Sequence, residues 1–222
     1  MLPYVYIIPF LAIFVTILVI SELKKVKKGT YATKPVATLL LILTAILSFT
    51  IPDTTRDYTL LIVIGLIFCF GGDMALMFME SKKAFLIGLV LFLLGHVVYA
   101  VTFLIYGGFT SQLLLTALMV FVIGVFIYIF LYPGLDKMKV PVALYIFIIS
   151  AMVAAAVATL FSPLVPKTAA WLITVGSALF WVSDVVLGTN RFRIQLKYDR
   201  LSLIAYYSGQ FLIAVSTYYF VS

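Results

Sequence analysis

One cysteine, one histidine and a shortage of charge close most of the familiar routes to chemistry in this 222-residue chain. Cys69 stands alone, so it forms no intramolecular disulfide and says nothing about redox compartment. With His96 as the single histidine, a zinc site built from several His or Cys ligands is excluded, and no metal is expected. The chain also lacks a Gly-x-Ser-x-Gly nucleophile elbow, a Walker loop and a dinucleotide fingerprint. Carboxylates, His96, hydroxyls and amides are what remains for chemistry.

Charged residues make up 10% of the chain and hydrophobic ones 65%, with a mean hydropathy of +1.24, which excludes a soluble globular domain. The formal net charge of +7 does not imply nucleic acid, because the basic residues flank apolar runs instead of forming a face. Those runs approach the roughly 20 residues that cross a hydrocarbon core as helix, and they are continuous, without the period-two alternation of a barrel strand. The expectation is an all-α integral membrane protein. The run from Tyr4 to Ile20 has no basic leader or small-residue cleavage site and reads as a retained helix.

Eight helices are expected in a single transmembrane domain, over about 4–23, 35–51, 58–79, 84–106, 112–132, 141–161, 168–188 and 201–221. Gly29 closes the basic loop after the first, and Pro35 opens the second at a position where proline is tolerated. The connections after the odd-numbered helices hold 13 of the 15 Lys and Arg residues, leaving Arg56 and Lys167 on the other side. The positive-inside rule then puts the odd connections in the cytoplasm and both termini on the non-cytoplasmic side. Plasma (inner) membrane is the expected location if the chain is bacterial. An offset of half the chain length aligns Asp73 with Asp184, Pro52 with Pro163, Gly65 with Gly176 and Leu76 with Leu187. Such an offset is compatible with a 4+4 duplication, which an even helix count would carry through without inverting the second half.

A carboxylate within a membrane helix costs about 2.5–3.5 kcal/mol on insertion scales and usually faces a bundle interior or a wet cavity. Asp73 and Asp184 are therefore the leading site candidates. Gly65, Gly72 and Asp73 share one helical face, as do Gly176, Ser183 and Asp184, and Gly88, Gly95 and His96. Small residues permit close helix approach, so each polar group rides on an interface stripe. Tyr99 follows His96 on the same side, and Tyr206, Tyr207 and Gln210 offer further polar groups from the last helix. At a helical rise of about 1.5 Å per residue, the two aspartates and Lys34 lie near the cytoplasmic ends of their helices, with His96 and Tyr99 deeper. A cavity opening to the cytoplasmic leaflet is expected. Structural roles compete with chemical ones: Asp73 can pair with Lys34, His96 can serve as a core hydrogen-bonding group, and the tyrosines can form an interface belt.

Lys34-Pro35, Gly72-Asp73, Gly95-His96-x-x-Tyr99, Ser183-Asp184 with Asn190, and Tyr206-Tyr207-x-x-Gln210 occur in an order and spacing that resembles the YhhN-like family of lysoplasmalogenases. That resemblance covers nearly the whole chain. It implies an eight-helix membrane hydrolase that cleaves the vinyl ether bond of a lysophospholipid, the lysoplasmalogen. The products would be a fatty aldehyde and glycerophosphoethanolamine or glycerophosphocholine. The reaction requires protonation of the β-carbon, water addition to the oxocarbenium ion and collapse of the hemiacetal, with no cofactor. A protonated acid and a neighbouring carboxylate suffice. Asp73 and Asp184 are expected to form that pair, with the roles of acid and base open between them. His96 is the third catalytic candidate. Lys34, Tyr99, Ser183, Asn190, Tyr206, Tyr207 and Gln210 are expected to bind substrate, Lys34 at the lipid phosphate. Membrane lipids are the surroundings, and no obligate protein partner is inferred. Two other classes fit the intramembrane acids: a proton-coupled small transporter or lipid-binding membrane protein, and a structural or regulatory subunit that would tolerate loss of either aspartate.

Overall fold

The computed structural model describes residues 2–109 and 111–220. Its eight α-helices are α1 (Tyr4–Leu23), α2 (Lys27–Leu47), α3 (Arg56–Leu76), α4 (Lys82–Gly107), α5 (Ser111–Leu131), α6 (Lys139–Ala158), α7 (Lys167–Phe192) and α8 (Ser202–Ser216). No strand occurs among the described residues. Seven helices, α1 to α7, are long and apolar enough to cross a membrane. The chain is a multi-pass membrane protein.

The pairs α1–α2, α3–α4, α5–α6 and α7–α8 pack as hairpins, most closely α3 with α4 and α7 with α8. Six helices close into a ring in which α2 meets α3, α3 meets α4, α4 meets α6, α6 meets α7, α7 meets α8, and α8 returns to α2. Helices α1 and α5 stand outside this ring. Only 17% of the apolar window of α5 is buried, against 50% for α6, so Leu114 and Phe126 of α5 present their side chains outward, where lipid would lie. The α7–α8 contact depends on glycine: a Cβ on Gly176 would lie 2.7 Å from the Gly209 carbonyl oxygen, closer than any real side chain sits.

The four odd connections meet at one end of the bundle. Lys27 pairs with Glu80 at 3.2 Å, Arg200 with Glu22 at 3.4 Å, and the Arg191 guanidinium lies 4.8 Å from the Phe85 ring centre. At the other end the Tyr4 and Tyr219 hydroxyls are 2.9 Å apart, and Tyr58 stacks on Phe220 at 4.0 Å. The two described ends of the chain thus share one end of the bundle, and the basic connections share the other.

Two helices depart from expectation. Helix α2 begins at Lys27, not at Pro35, so Gly29 lies in its first turn and Pro35 lies within it. A basic, glycine-containing stretch reads as loop when taken alone. Here Gly29 packs directly against α1, since a Cβ there would meet the Ser21 side chain. Pro35 forfeits one hydrogen bond only two turns from the helix start. The turn that separates α1 from α2 is instead three residues long. Lys25 takes φ 56°, and its N–H and that of Val26 bond back to the Glu22 and Ser21 carbonyls, a Schellman arrangement that completes the helix end.

Helix α8 is the second departure. It stops at Ser216, with hydrogen-bonded turns through Tyr219, and the expected end at Val221 lies outside the described residues. The hydroxyls of Ser216 and Thr217 bond to the carbonyls of Ile213 and Ala214, three residues back, which tightens the last turn. Fifteen residues of helix reach about 22 Å, short of a hydrocarbon core. Smaller differences include α7, which continues to Phe192 and takes Asn190 into the helix.

The half-chain offset reappears in the element boundaries. Helix α2 ends at Leu47 and α6 at Ala158, each followed by a single 3-10 turn, Ser48–Thr50 and Thr159–Phe161. Helix α3 begins at Arg56 and α7 at Lys167.

Candidate active site

Asp73 sits in the last turn of α3, where Gly72 lets α4 press close enough for the Phe92 ring to occupy the place of a Cβ. Its carboxylate is 2% exposed and has three partners. Lys34 Nζ of α2 is 3.3 Å from Oδ1, while the hydroxyls of Thr38 and Tyr206 donate to Oδ2 at 2.7 and 2.8 Å. Tyr207 lies 3.3 Å from the Thr38 hydroxyl. Because that hydroxyl has one proton and spends it on the carboxylate, Tyr207 is the donor, and a relay Tyr207 to Thr38 to Asp73 results. A buried ion pair stands only when its remaining lone pairs are satisfied, and this one is.

Asp184 is placed differently. It lies midway through the second half of α7, and a single hydroxyl, that of Tyr145 on α6, donates to Oδ2 at 2.6 Å. His96 of α4 brings Nε2 to 3.7 Å from the same oxygen, beyond hydrogen-bond reach. His96 is fully buried, with the Phe180 ring at 4.5 Å and the Tyr145 ring at 5.3 Å. Neither of its ring nitrogens has a hydrogen-bond partner among the described residues. Such orphaned buried groups are rare and call for an explanation. Asp73 therefore has a cation and two hydroxyls, and Asp184 has one hydroxyl and an unsatisfied imidazole.

Two pockets meet at Asp184. The first is apolar and runs between α4, α5, α6 and α7, walled by Leu89, Ile127, Ile146, Ile149 and Trp181. The second opens toward the basic end and is the more polar of the two, with Glu22, Lys34, Asp73, Ser183, Asp199 and Arg200 on its walls. Leu76, Phe92, Asp184 and Leu187 belong to both. Among them Asp184 is the one ionisable group.

The residues expected at the site divide. Lys34, Asp73, Ser183, Asp184 and Tyr206 line the polar pocket, and His96 abuts Asp184. Tyr207 reaches Asp73 only through Thr38. Tyr99 donates to Gln210 Oε1 at 2.9 Å and packs its ring over Gly65, so this pair ties α4 to α8 and lines neither pocket. Asn190 holds the α7–α8 connection together, donating to Asp199 Oδ2 and accepting from the Leu196 N–H, each at 2.8 Å. Lys34 faces Asp73, where the sequence suggested a lipid phosphate. Thr38, Tyr145, Trp181, Glu22, Asp199 and Arg200 escaped the sequence reading. Two of them had a signal: Thr38 stands one helical turn after Lys34, and Tyr145 is the counterpart of Lys34 at the half-chain offset. Among the described residues no group of three or more His, Cys, Asp or Glu is placed to hold a metal ion.

Comparison with known proteins bears on the same residues. A bovine protein, lysoplasmalogenase TMEM86A, is 34% identical to the chain over 172 residues, which cover 74% of the chain and 66% of the bovine protein. The chain thus spans just under two thirds of that relative's length. No solved structure matches the chain significantly. The model of the YhhN family matches residues 29–217, which include both aspartates, His96 and every helix from α3 to α7. The chain belongs to the YhhN family.

Proposed function

We propose that the protein is a membrane-embedded hydrolase that cleaves the vinyl ether bond of a lysoplasmalogen, releasing a fatty aldehyde and a glycerophospho-alcohol. The observation that carries this reading is the position of Asp184 on the boundary between an apolar pocket and a polar one. A lysoplasmalogen has its vinyl ether at the corresponding boundary, between hydrocarbon chain and glycerophosphate. With the chain beside Trp181 and the headgroup toward Arg200, the reacting bond lies against the Asp184 carboxyl group. Similarity to a protein named as a lysoplasmalogenase supports the same assignment.

In this mechanism Asp184 gives its proton to the β-carbon, leaving an oxocarbenium ion on the ether carbon. Water adds to that carbon, and its proton returns to Asp184. The hemiacetal then collapses to aldehyde and alcohol. One group serves as acid and then as base, and general catalysis of this kind contributes about 10²–10⁴ in rate. Tyr145 holds the Asp184 carboxyl group in place, and His96 closes the site behind it. Asp73, paired with Lys34 and held by Thr38 and Tyr206, supplies a fixed dipole on the polar wall.

The chain is a single transmembrane domain and, in our reading, a 4+4 duplication in which α1–α4 correspond to α5–α8. Coincident ends of α2 and α6, of their 3-10 turns and of the starts of α3 and α7 support it. The basic end faces the cytoplasm, so that both termini are non-cytoplasmic and the polar pocket opens to the cytoplasmic leaflet, of the plasma (inner) membrane if the source is bacterial.

The deciding experiment is mass spectrometry of the purified protein incubated with lysoplasmenyl-ethanolamine, with Asp184→Asn as control. Aldehyde and glycerophosphoethanolamine from the parent alone would support the assignment. An intact ligand, bound or carried across a vesicle membrane without product, would replace it with the transporter or lipid-binding class.

A further inference from the structure

The polar pocket holds more acid than the proposed reaction uses. Its ionisable walls comprise Glu22, Asp73, Asp184 and Asp199 against Lys34 and Arg200. Lys34 is matched to Asp73. Arg200 brings a single N–H, at Nε, to two carboxylates, with Glu22 Oε2 at 3.4 Å and Asp199 Oδ2 at 3.3 Å. Its Nη1 and Nη2 both turn to the Met79 sulfur, 3.7 Å away. A thioether is a weak acceptor on a flexible side chain. The two-pronged edge with which arginine grips a phosphate is thereby held by a group that a phosphate would readily displace. Glu22 comes from the last turn of α1, and Asp199 and Arg200 from the 3-10 turn before α8, so the cluster lies on the side of the pocket away from Tyr145 and the apolar chamber.

We propose that Arg200, Glu22 and Asp199 form a subsite for a zwitterionic phospho-amine headgroup, with the guanidinium taking the phosphate and the two carboxylates the ammonium. The inference rests on the lysolipid reading above and adds the residues that select the headgroup. Its physical basis is charge balance. A headgroup ending in bare phosphate brings only negative charge to a pocket where, with Asp184 carrying its proton, carboxylates outnumber cations by three to two, and like-charge juxtaposition is costly away from bulk water. A phospho-amine brings a cation to the surplus acids while its phosphate meets Arg200. The lysines outside the pocket attract anionic lipid surfaces, and the acids within it then discriminate among headgroups.

The test uses purified full-length protein and two 1-O-alkyl lysolipids, one ending in phosphoethanolamine and the other in phosphate, with binding followed by tryptophan fluorescence. The alkyl ether has no double bond to protonate, so binding is read whether or not the protein hydrolyses vinyl ethers. The parent is expected to prefer the phosphoethanolamine ligand by roughly tenfold or more, about 1.4 kcal/mol. Glu22→Gln keeps the side-chain shape and an acceptor for Arg200 but removes the charge, and it should reduce that preference to about threefold or less. Glu22→Asp should retain it. Equal binding of the two ligands by the parent, binding of neither, or an unchanged preference in Glu22→Gln would overturn the proposal. A retained preference with no product from lysoplasmenyl-ethanolamine would instead remove the hydrolase reading and leave the subsite standing.

Discussion

Asp73 and Asp184 occupy equivalent positions on α3 and α7, half the chain length apart, yet they face opposite company. The position that supplies Lys34 to the first supplies Tyr145 to the second at the same offset. A cation opposite a carboxylate makes an internal salt, and a phenol opposite a carboxylate makes one hydrogen bond and leaves the charge to be settled by the substrate. The contrast extends to the helices behind them. Tyr207 relays through Thr38 to Asp73, whereas its counterpart at the same offset, His96, stops 3.7 Å short of Asp184 with both nitrogens unsatisfied. The aspartate of α3 has a closed polar network and that of α7 an open one. The open one borders the apolar pocket.

The largest effect should come from Asp184→Asn, which removes the transferable proton while preserving shape. We expect turnover of lysoplasmenyl-ethanolamine to fall by about 10³-fold with thermal stability nearly unchanged. A comparable loss in Asp73→Asn with stability retained would make the two carboxylates chemical equals and break the comparison.

Next is Lys34→Met, which strands a carboxylate that is 2% exposed. Breaking one side of a buried pair costs about 3–5 kcal/mol, so a clear drop in melting temperature is expected. Adding Asp73→Asn should recover part of it. If the single variant is as stable as the parent, Asp73 is not held by that pair.

Tyr145→Phe should lower kcat about tenfold and leave KM within about twofold, since a hydrogen bond to a charged group contributes roughly 1.5–3 kcal/mol to holding it in place. A change confined to KM would assign Tyr145 to substrate binding alone.

The smallest effect is expected at Tyr99, whose bond to Gln210 joins α4 to α8 at residues that are themselves counterparts at the half-chain offset. Tyr99→Phe should cost about 1 kcal/mol of stability, the usual worth of one buried hydrogen bond, and leave kcat/KM within about twofold. A tenfold loss of kcat/KM would place this pair in the reaction after all.

Much of this architecture was legible in sequence because its causes are local. Composition and run length determine that the chain crosses a membrane as helices, since backbone in lipid is satisfied by helices or closed barrels and the runs lack the alternation of barrel strands. The glycines at 65, 72, 88, 95 and 176 share faces with the polar residues by helical periodicity alone, and in the structure those faces do form the close interfaces. The start of α2 was missed because lysines and a proline argue for a loop, while the glycine among them is explained by a helix that sequence spacing does not reveal.

What the sequence by itself determined is therefore the solvent, the helices and the buried faces on which two aspartates ride. The partners of those aspartates were decided by tertiary structure alone. Tyr206 reaches Asp73 across 133 residues and Tyr145 reaches Asp184 across 39, and no periodicity within one helix encodes which neighbour a ring of six helices will bring. The same holds for the two pockets: an apolar wall and a polar wall are each written in composition. That they meet at Asp184 follows from how α3, α4 and α7 pack, because a boundary between chambers is a property of the space between helices and of no helix singly.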